Sequence, residues 1–412
     1  MEDRILYNAL ADIMGVSKAT LSKWEANGAI VPAVAEDGKK YLSMQSLVWV
    51  PAVKEMLYSN WDEELKTVPS KEFTTMELFA GAGGLAYGME TAGFRHLMLN
   101  EIDHDACETL RLNRPEWNVL EQDIRTVDFT PYKDRIDLLT GGFPCQAFSY
   151  AGKQGGFNDT RGTLFFELAR AVSEIQPKVL LMENVKGLLA HDKGKTFNII
   201  METISELGYK MLSYKVLKAL QYKVPQKRER LIMLAVRNDI AECAEFLWPA
   251  PYHKILTLRD AFYAGELYAD DVPDSPGQVY PEKKKKVMDL VPMGEDWRSL
   301  PVDVQKDYMG GSFLLGGGKT GMARRLSMDE PSLTLTCAPA QKQTERCHPL
   351  ETRPLTVREY ARIQTFPDDW RFSGSLSSQY KQIGNAVPVN MAAAVGRSIM
   401  RMLNELSKKK LL

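Results

Sequence analysis

Met76–Glu90 reads MELFAGAGGLAYGME. An apolar run ends at Phe79, a turn follows with Gly81, Gly83 and Gly84, and helix-forming residues come next. Strand, tight turn, helix is the simplest reading. The glycines let the backbone turn sharply and let a ligand come close, while the helix start offers free N–H groups. The spacing is Gly-x-Gly-Gly, so the dinucleotide fingerprint is incomplete and an adenosine ligand without a pyrophosphate fits better. An acidic residue about 20 positions on is expected to hold ribose hydroxyls. Glu101 stands 20 after Gly81, at the end of the stretch HLMLN. Asp123, further along, can accept from an exocyclic amine. Glycine-rich turns of this kind also arise from packing alone, so the motif needs company.

Working outward, apolar runs sit at 73–79, 96–100, 136–140, 178–182, 210–217 and 230–236. Helical patterns fall between several of them, near 84–92, 104–112, 163–176 and 195–207. This alternation predicts an α/β domain, doubly wound around a largely parallel sheet. Ligands of such sheets bind outside the carboxyl ends of the strands. From about 240 to 350 the alternation stops, prolines and glycines cluster, and a KKKK run at 283–286 reads as a solvated face. After Arg353 helical patterns return, and the segment past Pro388 reads as an amphipathic helix. The expected organisation is 1–70 with a linker, 71–240, 241–350 and 351–412, the last completing the second.

The 412 residues are 44% hydrophobic, enough for a large core, and the net charge of −1 leaves any phosphate binding to a local basic face. The five cysteines are scattered without a Cys-x-x-Cys pair, so neither a zinc site nor a disulfide framework is expected. The start lacks a basic segment followed by an apolar one, and no apolar run reaches membrane-spanning length. A soluble, cytoplasmic protein is the expectation.

Gly141–Ser149 reads GGFPCQAFS. It follows the apolar stretch IDLLT and places Cys145 at the ligand-binding edge of the sheet. Pro144 removes a donor and fixes φ, which stiffens the turn. A nucleophilic thiol needs partial exposure and a positive environment. The next run, VLLMEN, delivers Glu183 and Asn184 to its own carboxyl edge, and QKRER at 226–230 projects Gln226, Arg228 and Arg230 at alternate, same-face positions. Each piece has an ordinary reading: a buried inert thiol, a helix cap, a solvated edge strand. Their meeting at one sheet edge argues against coincidence.

These motifs together resemble the bacterial DNA (cytosine-5) methyltransferases of restriction–modification systems. The resemblance covers about residues 73–402, in the order ELFAGAGGL, NEID, GGFPCQAFSYAGKQGGFNDTRGTLFF, MENVKGL, VPQKRERLIMLAVR, RPLTVREYARIQTFPDDW and QIGNAVPVNM. It implies a Rossmann-like S-adenosylmethionine-dependent methyltransferase domain with a loop-rich target-recognition domain. It implies Cys145 as the nucleophile on cytosine C6, Glu183 at N3 and the exocyclic amine, and Arg230, Arg228 and Gln226 ordering the pocket. Phe79, Ala80, Gly81, Gly83, Gly84, Leu85, Glu101, Ile102, Asp123, Ile124, Pro144, Leu164, Asn385 and Ala386 would line the S-adenosyl-L-methionine site. Gln146, Ser149, Lys153, Arg161 and Thr334 would face double-stranded DNA, with the target base flipped out of the duplex. A cognate restriction endonuclease acting on the same site is implied, without contact; a metal and a membrane are not.

Residues 1–70 lie outside that resemblance. NALADIMGVSKATLSKWEANGAI reads as helix, turn at Gly15, helix, and GKKYLS as a small wing. The pattern resembles the helix-turn-helix of MerR-type regulators. Lys18, Thr20 and Lys23 on the second helix are then candidates for DNA contact or autoregulation; packing on a neighbour is the plainer alternative, and removing the segment is expected to spare catalysis. Two rival functions are an RNA cytosine-5 methyltransferase and a DNA-binding regulator with an inert catalytic domain. The intact cysteine, glutamate and arginine set argues against the second.

Overall fold

The computed structural model describes residues 4–36, 38–144, 164–314 and 319–412. The chain gathers into two compact units. One holds Met1–Ser59, Ala219–Arg228 and Pro251–Pro388; the other holds Asn60–Lys218, Glu229–Ala250 and Val389–Leu412.

The second unit is built on seven strands: β1 (Phe73–Leu78), β2 (Phe94–Glu101), β3 (Val119–Glu121), β4 (Leu138–Gly141), β5 (Val179–Asn184), β6 (Tyr209–Lys218) and β7 (Glu229–Arg237). Their order is β3-β2-β1-β4-β5-β7-β6. The first five run parallel, and β7 enters antiparallel to both β5 and β6. All six apolar runs became strands. The short edge strand β3 has no apolar run of its own. Central β5 is buried at five of its six positions, as a strand covered on both faces requires. Edge strand β6 instead carries exposed lysines, which blunt its unpaired side.

Helices Gly84–Thr91, His104–Asn113, Leu164–Ile175 and Lys195–Glu206 occupy the intervals where their patterns fell. Met76, Leu78, Leu139, Phe165, Leu180 and Met233 belong to the core they enclose. The C-terminal helix Val389–Lys408 returns to this unit and packs on Gly84–Thr91, where Gly88 meets Ala392 closely enough that a Cβ would lie 2.4 Å away. The strand order reverses between β2 and β4, on either side of β1. The carboxyl ends of β1 and β4 therefore form the switch point at which open α/β sheets hold ligands.

The first unit is made of short helices and two small sheets joined by long loops. Helices Tyr7–Met14 and Lys18–Ala26 meet at Gly15, and strands Arg4–Leu6, Ala33–Val34 and Lys40–Ser43 make a small antiparallel sheet beside them. Leu10, Leu21, Leu42 and Val53 pack with Leu220 and Ile255 in one core. The N-terminal segment thus shares a hydrophobic core with residues far along the chain. Gln226–Lys227 pairs in parallel with Ser332–Leu333. Elsewhere, loop carbonyls are bound by buried arginines. Arg325 donates to the carbonyls of Val291, Met288, His348 and Glu351, and Arg362 to those of Ala261 and Asp271. Buried carbonyls need donors, and a planar guanidinium supplies five.

Candidate active site

The turn after β1 is held from its own neighbour strand. Phe79 takes the left-handed region at φ 59°, a strained conformation for a residue with a Cβ, and Gly81 and Gly83 follow at 53° and 86°. Ala80 N–H donates to the Asn100 carbonyl. Glu101 bridges the site: one carboxylate oxygen accepts from Gly81 N–H at 2.8 Å, the other from Ile102 and Asp103 N–H at 2.7 and 2.8 Å. The residue read as a ribose ligand is thus also the brace of the glycine turn. Ile102 beside it is 65% exposed, an apolar side chain in the open next to polar groups. Ala80, Gly84, Leu85 and Ile124 are buried, and Leu164 opens its helix half-buried against the core. Asp123 is gripped by Arg125 through side chain and backbone, which holds its carboxyl down at about 2.

Beneath this turn lies a buried acid. Glu77 accepts from the Thr140 hydroxyl at 3.2 Å, and burial carries its carboxyl up to about 8 against that bond. Cys107 is likewise buried, its thiol pushed up to about 12, which makes it inert as a nucleophile.

The second turn leaves β4. Gly142, Phe143 and Pro144 follow the strand, with Phe143 buried against Phe165 and Pro144 exposed. Asn184, at the end of β5, donates to the Phe143 carbonyl at 2.9 Å and fixes the turn to the neighbouring strand. Glu183 lies one residue earlier. Its Oε1 is 2.7 Å from Arg230 Nε on β7, with both side chains close to nine-tenths buried. Burial lowers the Arg230 guanidinium from its usual value against the pull of Glu183. Glu183 Oε2 lies toward Gly142, 3.1 Å from where a Cβ on that glycine would sit. Glycine here gives the carboxylate its room. Cys145, Gln146, Ser149, Lys153 and Arg161 lie outside the described residues.

The other candidates belong to the first unit and form a polar network of their own around buried Gln226 and Arg228. Gln226 accepts from Leu335 N–H at 3.0 Å and donates to Gln364 Oε1 at 2.8 Å. Gln364 in turn donates to the carbonyls of Ile383 and Ala386. Arg228 donates to the carbonyls of Leu335 and Asn385, both at 3.3 Å. The Cys337 thiol donates to the Asn385 side chain at 3.2 Å. Thr334 spends its hydroxyl on the Lys227 carbonyl at 2.9 Å. Arg228 and Arg230, expected on one face, therefore serve different partners, since the chain passes from one unit to the other between Arg228 and Glu229. Gln364 had no role in the sequence reading, although ARIQTFP carried it.

On the N-terminal helices, Lys18 Nζ is 2.8 Å from Glu330, Thr20 N–H is capped by Ser17, and Lys23 is exposed. Among the described residues one group has metal-ligand spacing, His104, Glu108 and Glu121, and Arg111 already pairs with both carboxylates. No helix among the described residues is long and apolar enough to cross a membrane.

Comparison with known proteins bears on this geometry. Residues 73–401 match the C-5 cytosine-specific DNA methylase family. The type II methyltransferase M.Eco47II of Escherichia coli is 58% identical over 410 residues, covering 99% of this chain and 98% of its own. M.Sau96I of Staphylococcus aureus is 48% identical over 343 residues, covering 82% and 77%. A crystal structure of a DNA modification methyltransferase encoded within an E. coli prophage matches 81% of this chain and all of its own, with a TM-score of 0.63 at 23% identity, which speaks to the fold. The chain belongs to the C-5 cytosine-specific DNA methylase family, and it is a DNA cytosine-5 methyltransferase.

Proposed function

We propose that the protein methylates C5 of one cytosine, flipped out of a specific duplex site, with Cys145 as covalent nucleophile and S-adenosylmethionine as methyl donor. The observation that carries this reading is the Glu183–Arg230 pair, set at the end of β5 and tied through Asn184 to the turn that leads into Cys145. Cytosine C5 is a poor nucleophile in an aromatic ring. Addition of the Cys145 thiolate to C6 breaks the aromaticity and makes C5 enamine-like. Glu183, oriented by Arg230, stabilises the charge that develops at N3 and reads the exocyclic amine. C5 then accepts the methyl group, the C5 proton leaves, and elimination of the thiol restores the ring.

The donor supplies an activated sulfonium methyl. The turn after β1 fits it: backbone curled by Gly81 and Gly83, a carboxylate at Glu101 for ribose hydroxyls, and the exposed Ile102 for a flat ring. Asp123 is suited to the adenine amine, and Asn385 and Ala386 are carried over from the family pattern. Gln226 and Arg228 act by ordering the loops at Leu335 and Asn385. Gln146, Ser149, Lys153, Arg161 and Thr334 remain the candidates for duplex contact. The N-terminal helices resemble a helix-turn-helix, and exposed Lys23 is its best remaining candidate for a phosphate.

Residues 241–350 choose the sequence, and a restriction endonuclease cutting the same site is the expected counterpart. Bisulfite sequencing of DNA from a host expressing the protein tests the proposal. One modified cytosine in a fixed short sequence, absent with Cys145→Ser, is the expected result. Unmodified DNA alongside a methylated tRNA would replace it with the RNA reading.

A further inference from the structure

The N-terminal segment is fastened to the motif strand Gln226–Arg228 by charge. Lys227 Nζ lies 2.9 Å from Asp12 Oδ2 and 3.1 Å from Glu330 Oε2. Glu330 Oε1 accepts in turn from Lys18 Nζ at 2.8 Å and from Asn8 Nδ2 at 3.1 Å. Side-chain exposure is 19% for Lys227, 19% for Asp12 and 13% for Glu330. Solvent therefore screens these charges far less than an exposed pair. Burial pushes the Glu330 carboxyl up, but Lys227 and Lys18 outweigh it and hold it near 2, so it stays charged. Burial also raises Asp12, opposed by Lys227.

Lys227 is further attached through its backbone and neighbours. Its carbonyl accepts from the Thr334 hydroxyl, and it pairs with Leu333 in the two-strand ladder. Gln226 before it binds Leu335 N–H, and Arg228 after it binds the Leu335 and Asn385 carbonyls. A clamp on Lys227 thus acts on the residue flanked by both motif side chains.

We infer that Asp12 is a positioning residue for methyl transfer: with Glu330 it pins Lys227, and through Lys227 it holds Gln226 and Arg228 in register against the loops at Leu335 and Asn385. The N-terminal segment is on this account part of the catalytic scaffold rather than a detachable module, which reverses the expectation that its removal spares catalysis. The inference rests on the roles proposed above for Gln226 and Arg228.

The test measures the first-order rate of methyl transfer to duplex DNA with full-length enzyme in saturating excess. That rate is independent of the active fraction, so mere loss of folded protein does not lower it. Asp12→Asn leaves Lys227 paired with Glu330, so no buried charge is stranded. It should slow transfer by about tenfold, since small misplacements of ordering groups cost that much or more. Affinity for S-adenosylmethionine should fall less than the rate does, since of the residues assigned to that site only Asn385 and Ala386 lie on the loops held through this network. Glu330→Gln, a second variant should the first fold poorly, should slow transfer similarly. Lys39→Met is the control, because its 2.8 Å pair with Asp329 also ties the N-terminal segment down but does not touch Lys227. It should keep the wild-type rate. Wild-type rates in both Asp12→Asn and Glu330→Gln, or an equal slowing in Lys39→Met, would overturn the inference. Gln226→Ala separates the two levels: if it too transfers at the wild-type rate, the roles assigned to the motif strand fail first.

Discussion

The two units satisfy their buried backbone in opposite ways. In the sheet unit, strands and helices pair the chain with itself, and polar side chains such as Glu101 and Asn184 are left to tie turns together. In the other unit, long irregular segments are held by side chains reaching across. Arg325 alone binds four carbonyls and the Thr352 hydroxyl, and Arg346 reaches the Thr334 carbonyl. A sheet edge presents chemistry at fixed spacing and tolerates little variation. Loops pinned by guanidinium groups can differ in path wherever their anchors are kept. That division suits the proposed assignment of the reaction to the sheet unit and of sequence choice to the loops.

The largest loss is expected in the sheet unit. Glu183→Gln keeps the shape of the side chain but loses the charge facing Arg230. It should lower kcat by about 10²–10⁴-fold, the usual range for a displaced acid–base partner, with cofactor affinity unchanged by calorimetry. Activity near wild type would remove Glu183 from the chemistry. A pH effect of on the order of 5 kcal/mol belongs to Glu77. Its folded carboxyl, near 8, lies above its ordinary 4.5. Folding therefore favours the protonated acid. The stabilisation is complete below about pH 4.5 and is lost as pH rises through about 8. Thermal melts from pH 5 to 9 should show wild type losing stability relative to Glu77→Gln, and parallel curves would refute the assignment.

Arg325→Met sharpens the contrast from the other side. Orphaned buried carbonyls cost about 1–3 kcal/mol each, so urea unfolding should show a loss of about 3 kcal/mol or more in total. Proteolysis should cut first within 251–388, and cofactor binding should weaken only as far as Asn385 and Ala386 contribute, the other assigned residues lying in the sheet unit. Loss of cofactor binding together with loop protection would mean that the units do not divide the work as described. The smallest effect is at Glu101. Alanine removes both a ribose partner and the brace on Gly81, at about 1.5–3 kcal/mol for a charge-assisted bond, read as weaker S-adenosylmethionine binding. Unchanged affinity would leave Glu101 as a brace without a ligand.

Legibility followed the same divide. The parallel core was readable because β1, β2, β4 and β5 are apolar runs punctuated by glycine, and the helices between them keep a 3.6-residue period. The edge strand β3 was not, because two half-buried apolar residues and an exposed glutamate make no run. Nor could periodicity give direction: the stretch 230–236 read as a strand, but its antiparallel entry between β5 and β6 is a tertiary choice. Glu183 was legible from its place at a strand end, whereas its ion pair with Arg230 needed the β5–β7 register, Ile232 opposite Glu183. In the loop-rich unit little was readable. KKKK has the composition of a solvated face, yet Lys284 within it is 18% exposed and pairs with fully buried Glu345 at 2.8 Å. The N-terminal helices and wing were visible as elements, but the partner of Lys18, more than 300 residues away, was not.

The central claim is that the Cys145 thiol bonds to the target base. Duplex DNA containing 5-fluorocytosine at the methylated position tests it most directly, because fluorine cannot leave as a proton does and the adduct is trapped after transfer. Incubation with S-adenosylmethionine should give a denaturation-resistant complex. Peptide mapping should place the crosslink at Cys145, and Cys145→Ser should give none. Full turnover on ordinary DNA with no trapped complex, or a crosslink at any other residue, would contradict the account.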